Sequence, residues 1–173
     1  LKGTKKLVKR KRIVAISGIK NSGKTTLICR LLEIFKEKGL RVAVLKHDGH
    51  DFEPDVPGTD TYRQLQAGAY GSAGKYMLVK QQPQISEKEL MEFFPEADLI
   101  LLEGFKYSTY PKIEIVRKGN SAESVSNPER LMAIATNLDA EEREALSVQE
   151  NVPFFDLDNA KSIAEFILSD YFR

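Results

Sequence analysis

The sequence predicts a three-layer α/β domain, a mostly parallel sheet with helices on both faces. Three observations carry this. Short β-branched apolar runs alternate with segments of helical periodicity along the chain. The first such runs form a strand–helix–strand unit, whose crossover demands parallel pairing. At 173 residues, 42% hydrophobic and 29% charged, the chain has room for one domain around a single core.

Each element follows in order. Residues 13–17 are a buried strand ending at Gly18. Over 24–38, Leu27, Ile28, Leu31, Leu32, Ile34 and Phe35 recur at helical spacing, and Gly39 supplies the stop. Residues 41–45 form the second buried strand. The chain is then polar and turn-rich over 46–58, with Pro54 and Pro57. A short helix is expected over 59–67, followed by a Gly/Ala-rich stretch entering a strand near 76–80. Residues 86–94 read as a helix, with Ser86 and Glu89 matching a capping box. Residues 98–102 are a buried strand, 112–116 alternate like a more exposed one, and 131–135 are a core strand. A polar helix over 139–146, a strand over 152–156 and a helix from 160 to 166 or onward to 171 complete the order. The loop over 118–128, rich in Ser, Asn and Gly, is expected to be mobile. With no repeat or interdomain linker, residues 13–173 read as one domain.

Charge is distributed unevenly. Lys2, Lys5, Lys6, Lys9, Arg10, Lys11 and Arg12 make a basic arm over 1–12, leaving 19 basic against 25 acidic residues in the body. Such an arm could touch nucleic acid or anionic lipid through phosphates, but no further basic patch supports it, and a solvated terminus is the expectation. Apolar runs fall far short of the ~20 residues that span a bilayer. A single cysteine, Cys29, fits a reducing compartment, and no secretory signal is visible, so the cytoplasm is expected.

Gly18-Ile19-Lys20-Asn21-Ser22-Gly23-Lys24-Thr25 matches G-x-x-x-x-G-K-[ST] at every required position. Glycines let the loop curl so that backbone N–H groups point at a phosphate. The helix that follows adds its N-terminal dipole. Lys24 reaches the outer phosphates, the Thr25 hydroxyl ligates Mg²⁺, and Thr26 caps the helix or contacts the inner phosphate. The motif sits between a predicted strand and a predicted helix, as its mechanism requires. The domain is therefore read as a P-loop NTPase-type fold that binds a nucleoside triphosphate. Lys20 is read as a solvated loop charge, because Ile19 directly follows the first glycine.

Glu103 closes the strand Asp98-Leu99-Ile100-Leu101-Leu102-Glu103, at the edge where open α/β sheets bind ligands. It could hold Mg²⁺ through a water, orient the attacking water, or be a strand-end surface acid. Asp98 reads as a structural start residue.

Four ordered segments make a more specific pattern: the loop over 18–26; Lys46-His47-Asp48-Gly49-His50-Asp51; Pro57-Gly58-Thr59-Asp60-Thr61-Tyr62-Arg63 with Ala67-Gly68-Ala69; and Leu101-Leu102-Glu103-Gly104-Phe105-Lys106. Pro111-Lys112-Ile113-Glu114 extends it. Over residues 13–116 the sequence resembles the molybdopterin-guanine dinucleotide biosynthesis protein B family, small P-loop GTP-binding proteins. The resemblance implies GTP and Mg²⁺ as ligands, slow hydrolysis and a homodimer. It also implies an adaptor role in attaching a guanine nucleotide to molybdopterin, the transfer itself being done by a separate guanine nucleotidyltransferase.

Other residues carry open alternatives. Both histidines lie in the segment over 46–51, which could face an anion or Mg²⁺ or be merely polar; His50 is a nucleotide-binding candidate, and Asp48 or Asp51 would complete the magnesium shell. Asp60 and Arg63 share a helix face as a surface ion pair, unless Arg63 binds phosphate. In Thr136-Asn137-Leu138-Asp139, Asn137 stands where a guanine-reading loop carries lysine, so Asp139 either reads the base or caps the next helix. The competing function is a small-molecule kinase or ATP-dependent ligase on the same scaffold.

Overall fold

The computed structural model describes residues 12–46, 58, 60–69, 71–74, 86–121 and 123–169. Seven parallel strands form one sheet in the order β3-β2-β4-β1-β5-β6-β7. In chain order these are β1 (Arg12–Ser17), α1 (Lys24–Glu37), β2 (Val42–Lys46), α2 (Asp60–Gln66), β3 (Gly71–Gly74), α3 (Glu87–Glu92) and β4 (Leu99–Glu103). There follow β5 (Lys112–Val116), a 3₁₀ turn (Pro128–Arg130), β6 (Leu131–Thr136), α4 (Ala140–Glu144), β7 (Phe154–Asp156) and α5 (Ala160–Leu168).

Alternation along the strands separates two cores. Val14 and Ile16 of β1, Leu99 and Leu101 of β4, and Ile113 and Ile115 of β5 pack with α1 and α5. Ala15, Ile100 and Leu102 face the other way, toward Leu90 and Met91 of α3, while Val116 and Ile134 pack near α4 on Leu138 and Leu146. The three layers expected from the sequence are present. α1 ends as predicted: Gly39, at φ +70°, lets Leu40 N–H reach back to the Phe35 carbonyl. The Ser86–Glu89 capping box is formed at α3.

Two expectations change. β5 is not a more exposed strand; all five residues are buried between β1 and β6, including Lys112 and Glu114 at 0% and 1% exposure. The ammonium of Lys112 donates to the carbonyls of Phe105 and Ser108 and to the Ser108 hydroxyl. The Glu114 carboxylate accepts from Ser124 Oγ and from the backbone N–H groups of Val125 and Ser126. That clamp, with the Ser17–Ser126 hydroxyl pair at 2.8 Å, ties down the loop expected to be mobile. In the Gly/Ala-rich stretch the observed strand is Gly71–Gly74. The strand expected near 76–80 and most of the basic arm lie outside the described residues, though Arg12 belongs to β1.

All strands are parallel, so their carboxyl ends share one edge. β4 and β5 flank β1, which places Glu103 beside Ile16 and Glu114 beside Ser17, next to the loop that follows β1. Lys46, ending β2, is in register with Glu103.

Candidate functional site

A cavity of about 460 Å³ opens over the glycine-rich loop at this edge. The loop's shape follows from its residues. Gly18 has φ +133°, and a Cβ there would lie 2.7 Å from the Ile115 carbonyl oxygen, so only glycine fits. Gly23, at φ +102°, holds the left-handed turn that starts α1, and Asn21 adopts φ +62°, a region asparagine tolerates. Lys24 Nζ donates to the loop's own carbonyls, Ile19 at 2.7 Å and Gly18 at 3.1 Å.

The cavity brings together Asn21, Gly23, Lys24, Thr25, Thr26, Arg63 and Glu103, all candidates from the sequence. Thr25 Oγ1 donates to Glu103 Oε1 at 2.6 Å, and Gln64 Nε2 donates to Glu103 Oε2 at 2.7 Å. Glu103 is therefore no strand-end surface acid; it is 3% exposed. Burial pushes its carboxyl above the ordinary range, against the Thr25 hydrogen bond and the charge of Lys46. Asp60 shows the opposite balance. Burial alone would raise it, but the hydrogen bond and charge from Lys46 and the charge of Arg63 hold it below its ordinary value.

Asp60 is therefore more than one end of a surface pair. Its near partner is Lys46, and Arg63 stands 4.0 Å off. Lys20 is exposed, as expected of a solvated loop charge, and lines the cavity as well. Ser22, a nucleotide-binding candidate of the loop, has its side chain fully buried, with its hydroxyl unpartnered among the described residues. Gly18 acts through backbone shape.

Asp139 takes the capping role. Its carboxylate accepts from Glu142 N–H at 3.0 Å and pairs with Lys118 Nζ at 2.9 Å. The Glu142 hydrogen bond and the Lys118 bond hold it down to about 2. A second cavity of about 400 Å³, lined by Asn120, Leu138 and Glu142 among others, lies beside this helix start. The Asn120 side-chain amide donates to the Lys20 carbonyl, joining this region to the phosphate loop. His50 and Asp48 lie outside the described residues. Asp98 behaves as expected, accepting from Arg41 at the entry to β4.

Sequence reasoning missed Gln64 and Arg117, which comes directly after β5 and also lines the cavity. Gln64 had a signal: it is four residues from Asp60, hence on the same helix face. Among the described residues no three His, Cys, Asp or Glu side chains form a metal cage, and no helix is long and apolar enough to cross a membrane.

Comparison with known proteins adds independent findings. Residues 13–137 match the family MobB, molybdopterin guanine dinucleotide synthesis protein B. A Bacillus subtilis protein named probable molybdopterin-guanine dinucleotide biosynthesis adapter protein is 32% identical over 167 residues, 91% of each chain. The Escherichia coli molybdopterin-guanine dinucleotide biosynthesis adapter protein is 28% identical, covering 90% of this chain and 91% of its own. The crystal structure of Bacillus subtilis MobB superposes with a TM-score of 0.59 at 30% identity, over 94% of this chain and 98% of that one. HypB from Helicobacter pylori, solved with nickel, gives 0.65 at 14% identity over 93% and 87%, a likeness of fold.

Proposed function

Because the chain belongs to the MobB family of molybdopterin guanine dinucleotide synthesis proteins, we propose that it is a GTP- and Mg²⁺-binding adaptor, slow in hydrolysis. It assists a separate guanine nucleotidyltransferase in attaching a guanine nucleotide to molybdopterin. The observation that carries the nucleotide reading is the Thr25–Glu103 hydrogen bond at the mouth of α1, beneath a cavity ringed by Lys20, Lys24, Lys46, Arg63 and Arg117.

The donor chemistry fits magnesium. Thr25 offers a hydroxyl, Glu103 a carboxylate bonded to it, and Asp60 a second carboxylate lining the same cavity. Magnesium takes one or two carboxylates plus phosphate oxygens and water, not an all-protein cage. When bound, it neutralises charge on the phosphate oxygens. Lys24 turns from the loop carbonyls to the outer phosphates, and the N–H groups at the start of α1 hold the inner ones. Glu103 orients water at the site. Both its oxygens already accept hydrogen bonds, from Thr25 and Gln64, so a water must displace one of these donors before Glu103 can orient it, which supports the reading of slow turnover. The choice of guanine is carried by family membership; Asp139, committed to its cap and Lys118, would have to exchange these partners to read a base.

Isothermal titration with GTP and ATP, with and without Mg²⁺, tests this. Magnesium-dependent GTP uptake, lost at least a hundredfold in Lys24→Ala, is expected; tight ATP binding with no response to GTP would defeat the guanine assignment. Rapid phosphoryl transfer to a metabolite would instead favour the kinase reading. Light scattering of the purified protein checks the expected homodimer.

A further inference from the structure

We propose that Arg117 is a phosphate-binding residue of the same chain's nucleotide site, clamping the phosphate chain from the β5 side of the loop. The inference rests on the nucleotide reading above and adds a residue to it.

The placement follows from strand parity. Ile113 and Ile115 point toward α1, and Arg117 is the next residue of that alternation, just past the end of β5. Its guanidinium accordingly lies over the loop. Nη1 is 3.6 Å, and Cζ 3.9 Å, from the position a Cβ on Gly23 would occupy. Gly23 immediately precedes Lys24 and the first N–H groups of α1, so the guanidinium stands where a bound phosphate chain meets the helix. The backbone there is fixed: the Arg117 carbonyl accepts from the N–H groups of Asn120 and Ser121, and the Asn120 amide is bonded to Lys20 of the loop.

The cavity's cations differ in their engagement. Lys46 is paired with Asp60, Arg63 stands 4.0 Å from the same carboxylate, and Lys24 is bonded to the loop carbonyls. Arg117 makes no side-chain hydrogen bond or ion pair among the described residues, although it lines the cavity. A guanidinium in a cationic cavity, held by its backbone and lacking a carboxylate, is matched chemically by a phosphate, which it can grip bidentately. Because the arginine comes from the loop's own chain, the charge is supplied without a second subunit.

Calorimetry on wild type, Arg117→Ala and Arg117→Lys with two probes, MgGTP and inorganic tripolyphosphate, tests the assignment. Arg117→Ala is expected to weaken both probes by about tenfold or more while leaving the thermal midpoint unchanged, because the side chain has no partner among the described residues to lose. Arg117→Lys is expected to recover only part of the loss, since a point charge cannot replace the fork. Affinities within twofold of wild type in Arg117→Ala would overturn the proposal. So would a loss confined to MgGTP, which would place the guanidinium at the nucleoside. Wild-type protein that binds neither probe would instead defeat the nucleotide reading itself.

Discussion

Glu103 and Glu114 make an instructive pair. Both are buried carboxylates on strands that flank β1, Glu103 ending β4 and Glu114 in the middle of β5, and they oppose neighbouring residues, Ile16 and Ser17. They face opposite sides of the sheet. Glu103 follows the parity of Leu99 and Leu101 toward α1, and its partners are two side chains from two other elements, Thr25 and Gln64. Glu114 faces away from α1, and its three donors come from a single stretch, Ser124 to Ser126, two of them backbone N–H groups. A carboxylate held by side chains beside a cavity can trade them for a cation or a water. One held by backbone amides has its charge committed to the shape of a loop. Burial of an acid beside β1 does not by itself mark chemistry; the kind of donor separates the two carboxylates.

The sharpest way to break this contrast is kinetic. Glu103→Gln is expected to keep nucleotide binding but lower the GTP hydrolysis rate by roughly a hundredfold or more, with Glu114→Gln at wild-type turnover per folded molecule; single-turnover assays decide. Thr25→Val should weaken Mg²⁺ dependence by about tenfold, measured as a shift in the magnesium midpoint of GTP binding, because it removes one hard oxygen donor. Thermal unfolding without divalent ions should separate the acids by sign. Glu114→Gln removes charge-assisted bonds and costs about 2 kcal/mol, a fall of about 4–8 °C in a chain of this size. Glu103→Gln should not fall and is expected to rise slightly, since burial disfavours its charged form.

The smallest effect concerns an exposed acid. Asp139 is held down to about 2 by the Glu142 N–H and Lys118, so its folded value lies below its unfolded one. Its contribution is complete above the ordinary aspartate range and fades as pH drops from about 4 toward 2. Asp139→Asn, which keeps a capping oxygen, should flatten that part of the stability profile slightly in acid titrations followed by circular dichroism. A slope unchanged from wild type would show that the cap carries no charge-dependent stabilisation.

What could be read from the sequence was local. The loop over 18–25, the α1 stripe and the Ser86 cap are encoded within a few residues, and each was found where expected; for Asp139 the sequence left base reading and capping open, and the cap is what forms. Glu103 was legible because a lone acid ends an apolar strand. β5 was not, since Lys112 and Glu114 alternate with apolar residues as in a half-exposed strand; the groups that satisfy them come from a preceding turn and a following loop. Asp60 and Gln64 were hidden for a related reason. Their relation to Lys46 and Glu103 depends on how α2 docks at the sheet edge, which residue spacing alone does not report.

The Lys24 ammonium occupies itself with two oxygens of its own loop. An incoming polyphosphate must out-compete that internal embrace, so measured affinity is a difference between two strong attractions rather than the full strength of either. The same two oxygens give the lysine a resting position whenever the site is empty. For the adaptor role proposed above, exchange of ligand would matter more than grip.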